Sequence, residues 1–104
     1  MRFLLLLLPA GTAPVGSTAA YDDALRRAGI LLAHDRLDGG AARVRFGPGG
    51  AVVAEPPPLQ AASAVGGYWM IQARSRDEAV EWARRCPAAP GDAVEVHPLE
   101  AASS

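Results

Sequence analysis

At 104 residues, half of them apolar, the chain is long enough for one domain with a real core and too short for two. Ten basic against eleven acidic side chains leave a formal charge of -1, with both signs scattered, which excludes a surface built to attract a polyanion such as nucleic acid. A single cysteine, Cys86, excludes an internal disulfide and a metal site built on cysteine pairs, and the absence of a three-residue glycine period excludes collagen.

The first segment, Arg2 to Leu8, is an apolar run stopped by Pro9. Its stretch Phe3 to Leu8 imitates a signal peptide but is short for a secretory core and far short of a membrane span. It reads as a first strand buried on both faces. Residues 9–18 form a loop rich in Pro, Gly, Ser and Thr, and Ser17 or Thr18 is placed to cap a helix. Asp22 and Asp23 in the first turns, and Arg26 and Arg27 near the end, suit the helix dipole. Gly29 closes the helix as a left-handed C-cap, and Tyr21, Leu25 and Ala28 share one face.

Ile30 to Ala33, running on toward Leu37, reads as the second strand, and Asp38-Gly39-Gly40 as a turn. Ala41–Phe46 and Ala51–Ala54 flank Gly47-Pro48-Gly49-Gly50 as a hairpin. That glycine-rich turn lacks the Lys-Ser or Lys-Thr and the following helix of a phosphate loop. Glu55-Pro56-Pro57-Pro58 is stiff and extended. Gly66 to Ala73 is the next strand. Ser75 with Glu78 forms a capping box for a second helix with Ala79, Val80, Trp82 and Ala83 on its apolar side. Pro87 ends that helix, and Ala93 to His97 is the last strand, limited by Pro98.

The order β-α-β-hairpin-β-α-β predicts an α+β, ferredoxin-like sheet with both helices on one face. An apolar second face would need cover, and two such sheets packed across a dimer axis supply it, so a homodimer is expected.

In order along the chain, Met1-Arg2-Phe3-Leu4-Leu5-Leu6, Leu25-Arg26-Arg27-Ala28-Gly29-Ile30-Leu31-Leu32-Ala33, Gly66-Gly67-Tyr68-Trp69-Met70-Ile71, Ala79 to Pro87, and Val94-Glu95-Val96-His97-Pro98-Leu99 resemble the YCII-related, or DGPF-domain, family. The resemblance implies a single domain over residues 1–100, a short tail at 101–104, and a dimeric α+β barrel. It also implies an active site, since some members carry a His and an Asp to which one has been ascribed. The Asp-Gly-Pro-Phe stretch of the family falls on Glu55, Pro56, Pro57 and Pro58, so only the proline at 57 is retained. The His that some members carry near the start of the first helix has no match in residues 15–21.

Three groups of residues can carry chemistry. Glu55, held by prolines, is a candidate acid or base, with His34 and His97 as the other titratable candidates. Arg43 and Arg45, on one side of the hairpin, can hold a carboxylate or phosphate. Tyr21, Tyr68 and Trp69 can line a pocket, Tyr68 and Trp69 facing opposite ways. Trp82 reads as helix-to-sheet packing. Cys86, before Pro87 at a helix C-terminus, has no feature of a nucleophile.

These residues lead to the expectation of a small biosynthetic enzyme, free of metal and cofactor, acting in the cytoplasm. It would run a cyclisation, isomerisation or elimination on an apolar small molecule, with Glu55 moving a proton beside His34 or His97. Two alternatives stand beside it: a noncatalytic small-molecule-binding or accessory protein, and a structural homodimeric module that binds a partner. Neither nucleic acid nor membrane is an expected partner.

Overall fold

A computed structural model describes residues 1–11, 16–37, 42–54 and 65–101, with the backbone alone at 52–54. Eight elements follow in chain order: β1 (Arg2–Leu8), α1 (Ala19–Arg27), β2 (Leu31–Arg36), β3 (Arg43–Gly47), β4 (Gly50–Ala54), β5 (Gly67–Gln72), α2 (Arg76–Arg84) and β6 (Ala93–Pro98). Asp38-Gly39-Gly40 and the Glu55–Pro58 stretch lie outside the described residues. No helix among the described residues is long and apolar enough to cross a membrane.

The main sheet is antiparallel with the order β2-β5-β1-β6, so β1 lies inside it and β2 and β6 form its edges. Contrary to the expected burial on both faces, β1 alternates. Phe3, Leu5 and Leu7 are fully buried, while Arg2, Leu4, Leu6 and Leu8 are only half-buried. The inner row joins Trp69 and Ile71 of β5, Tyr21 and Leu25 of α1, and Ala79 of α2 in one core. Val94, Val96 and Trp82 pack against it. Both helices therefore cover the same face. Each fully buried Phe, Leu or Ile contributes about 1.5–3 kcal/mol by leaving water.

Local signals set the helix ends. Gly29 has φ 72°, and the amides of Gly29 and Ile30 donate to the carbonyls of Arg26 and Leu25, closing the last turn of α1. At the other end Thr18 is the N-cap residue, yet its hydroxyl makes no capping bond. The Ser75 hydroxyl does cap α2 by accepting from the Glu78 amide at 3.2 Å. The expected reciprocal bond gives way to an ion pair, because the Glu78 carboxylate takes the Arg74 guanidinium at 2.9 Å.

The expected dimeric α+β barrel is overturned. Strands β3 and β4 pair only with each other in a separate two-stranded sheet, and the four-stranded sheet stays open at both edges. Closure into a barrel requires unbroken pairing around the ring, which open edges do not give. What the chain builds is an α+β fold of alternating β-α-β units with open sheets. The outer face expected to lie between two copies is apolar along β1 and β5 and polar at its edges. Across it run the rows Asp35-Tyr68-Leu6-Glu95 and Ala33-Met70-Leu4-His97. Asp35, Glu95 and His97 are exposed at the margins, and an antiparallel sheet of this kind can face water on one side.

Candidate functional site

One irregularity in β2 decides where the site forms. Leu31 pairs with Ile71, but Ala33 pairs with Met70 and His34 with Trp69, so Leu32 is an extra residue in the strand. Strict alternation from Leu31 would send His34 to the outer face with Leu32. The bulge reverses the parity and turns His34 to the inner face, beside Trp69. Gly67 keeps β5 close to β2 here, since a Cβ at that position would stand 3.2 Å from the Asp35 carbonyl oxygen.

From the helix side comes Asp22. It follows the buried Tyr21 and precedes the buried Leu25 by three positions, so the turn of α1 carries it toward the sheet. Its carboxylate is held from two directions. The indole Nε1–H of Trp69 donates to Oδ1 at 2.7 Å, and the Thr18 hydroxyl donates to Oδ2 at 3.1 Å. As N-cap residue Thr18 also lacks the usual extended backbone, with φ -108° and ψ 10°. Among the described residues no buried side-chain polar atom lacks a partner, as burial of a carboxylate in a core requires.

His34 stands with Nδ1 3.7 Å from Asp22 Oδ2. The His34 side chain is 34% exposed and that of Asp22 12%, so a molecule arriving from solvent meets the imidazole and not the carboxylate. The cleft beside them is lined by Leu7, Thr18, His34, Asp35, Gly67 and Trp69 and encloses about 10 Å³, space for one water. At its mouth the Arg36 guanidinium donates to the Gly16 carbonyl.

Behind the carboxylate the wall is aromatic. Tyr21 meets Trp69 edge-on, with centroids 5.2 Å apart and planes at 89°. Its hydroxyl donates to the Trp82 carbonyl at 2.6 Å. Burial, reinforced by nearby Cys86, holds the Tyr21 phenol well above its ordinary range, against the opposing charge of Arg85. Burial also pushes the Cys86 thiol up to about 11, with the Asp22 and Asp92 charges adding to it. Both groups are neutral packing residues near neutral pH.

Of the residues singled out from sequence, His34, Tyr21 and Trp69 come together around Asp22. His97 does not join them. It lies on β6, the edge opposite β2, three strand spacings of about 4.8 Å each from His34. There its Nε2 meets the Glu95 carboxylate at 2.8 Å on the outer face. Tyr68 also faces outward, opposite Leu6. Arg43 and Arg45 are exposed on the β3–β4 hairpin, and Glu55 lies outside the described residues. Among the described residues no group of three His, Cys, Asp or Glu side chains is placed to hold a metal ion. The cleft at His34, with room for one water, does not enclose an apolar molecule as the expected cyclase or isomerase would.

Sequence reasoning missed Asp22 and Thr18. The available signal was a carboxylate inside the buried stripe of a short helix, where a charge needs donors. It was masked by the position of Asp22 in the first turn, where the helix dipole alone justifies an acid.

The sequence profile described as YCII-related domain matches residues 9–101. A comparison with the curated proteins finds no match.

Proposed function

The chain belongs to the YCII-related domain family, and for this member we propose an acid–base role in which His34, positioned by Asp22, transfers a proton to or from a small molecule at the cleft mouth. The observation that carries this reading is a buried carboxylate held by Trp69 and Thr18, with its Oδ2 3.7 Å from the Nδ1 of a partly exposed histidine. A carboxylate facing Nδ1 favours the tautomer with the proton there, which leaves Nε2 to accept and return a proton. The small molecule presents a polar group to Thr18, His34 and Asp35 and keeps its bulk outside, since the cleft admits only a water-sized group. Action in a reducing cytoplasm belongs to the same proposal, on the strength of a single thiol.

The test is the tautomer of His34, read in a long-range proton–nitrogen correlation spectrum near neutral pH. His97→Gln removes the other histidine signal. The expected result is a neutral His34 protonated at Nδ1 in the parent protein and at Nε2 in Asp22→Asn. An Nε2-protonated ring in both proteins would remove the basis of the reading. In a mass-spectrometric screen of small metabolites, any turnover found should vanish in His34→Gln.

A partner-binding reading draws on a different observation. Phe46 on β3 is 83% exposed and Val44 is 48% exposed, an apolar pair on a projecting hairpin. Phe46→Ser should leave the fold intact and abolish capture of a protein partner if this surface is used.

A further inference from the structure

A second concavity lies between the two helices and shares no lining residue with the cleft at His34. Ala20 and Ala24 of α1 form one bank, and Trp82 and Pro87 form the other. The ring of Tyr21, buried with its hydroxyl spent on the Trp82 carbonyl, is part of the floor. The alanines leave the groove open where larger side chains would fill it, and its volume of about 320 Å³ lies in the range of small-molecule sites. Its lining is mostly apolar and contains no carboxylate.

The only charge in the lining is Arg85. Its guanidinium lies over the Trp82 ring, 4.7 Å from the centroid. The ring covers one face of the guanidinium, and among the described residues nothing accepts from its edge N–H donors. Among the described residues no carboxylate forms an ion pair with Arg85, whereas Arg26, Arg27, Arg74 and Arg84 all have acidic partners within four residues. Its charge reaches the groove floor, where it acts on the Tyr21 phenol against the effect of burial. The adjoining concavity at Trp82 is different in kind: Arg85 lines it as well, but there with Arg74, Glu78 and Glu81, so two carboxylates balance the two guanidinium groups.

We propose that the α1–α2 groove is a binding site for a small amphipathic carboxylate, with an aromatic or short acyl body against Ala20, Ala24, Trp82 and Pro87 and its carboxylate on Arg85. An apolar trough supplies affinity without direction, and one fixed guanidinium supplies direction. A neutral molecule of the same shape lacks the second term, and a hydrophilic anion lacks the first. The acid–base reading of His34 is separate, because the two sites have different walls.

The probe is naphthoate, titrated into the isotopically labelled protein and followed by amide shifts, with naphthalenemethanol as the neutral control. Saturable binding is expected, with the shifts confined to residues 17–24 and 82–87. Naphthalenemethanol should bind about tenfold more weakly, as should naphthoate to Arg85→Gln, since each removes one charge-assisted pair. Ala24→Leu, an exposed position in a helix, fills the trough and should abolish binding. His34→Gln should bind as the parent does, which keeps a failure here distinct from a failure of the acid–base reading. Three results would each overturn the proposal: no saturable shifts up to the solubility of naphthoate, equal binding of acid and alcohol, or unchanged affinity in Arg85→Gln.

Discussion

The bond between Trp69 and Asp22 should be the most strongly coupled pair in the protein, and Trp69→Phe isolates it. Phenylalanine keeps an aromatic ring against Tyr21 but removes the indole N–H that donates to Asp22 Oδ1 at 2.7 Å. A hydrogen bond to a charged acceptor contributes about 1.5–3 kcal/mol, and leaving that acceptor short of a donor in the core incurs the upper part of that range. The smaller ring leaves a void at a residue only 3% exposed, which adds about 1 kcal/mol. The single variant should therefore lose about 2.5–4 kcal/mol, or about 10 °C or more in Tm for a domain of this size. Asp22→Leu should also destabilise, since it strands the indole donor. In that background, however, Trp69→Phe removes an orphaned group instead of a bond and should cost about 1 kcal/mol or less. The coupling in the cycle is then about 2 kcal/mol. Urea unfolding followed by far-ultraviolet circular dichroism reads all four proteins without relying on the deleted fluorophore. Additivity within about 0.5 kcal/mol would refute the claim that Trp69 holds the carboxylate.

Other consequences are as specific. Gly67→Ala places a Cβ 3.2 Å from the Asp35 carbonyl, so β2 must give way and stability should fall by about 1–3 kcal/mol, measured by urea unfolding. Cys86 titrates in the folded chain at about 11 against 9.0 unfolded, chiefly because it is buried. Its contribution to stability is thus complete below pH 9.0 and is lost as pH rises to about 11. Cys86→Ala should flatten the alkaline stability profile in that window, and the parent thiol should resist iodoacetamide near neutral pH. Asp92 accepts the amides of Ala10 and Ala89, and these bonds hold its carboxyl below the usual range. Its stabilising effect is present above the unfolded carboxylate range and disappears as acid takes pH through the folded value. Thermal melts of Asp92→Asn should therefore fall below the parent near neutral pH and converge with it in strong acid.

Much of the architecture was legible, and for identifiable reasons. Gly29, Ser75 and Pro87 mark helix ends through local chemistry that needs no tertiary context, and each acts where expected apart from the half-made capping box at Glu78. The apolar run at Arg2–Leu8 was legible as a strand but not as an alternating one, because leucine on both faces conceals the period. Barrel closure was not legible, since it depends on which edges pair and not on any local pattern. The site was legible only in part. His34 could be named, but its face depends on a bulge at Leu32 that no glycine or polar residue announces. Asp22 could be named as a helix-start acid, but its donors come from Thr18 one turn earlier and from Trp69 on a strand far along the chain.

The placement of β1 also orders events during synthesis. Phe3 pairs with Ile71 on one side and with Pro98 on the other, so the most apolar strand leaves the ribosome well before either neighbour exists. Until β5 is made, Phe3, Leu5 and Leu7 have no sheet to enter, and until β6 is made one edge of β1 stays unpaired. Such long-range pairing slows folding and prolongs the exposure of a sticky segment. Refolding of this domain should therefore be slow for its length, and a chain stopped before β6 should aggregate through an unpaired β1.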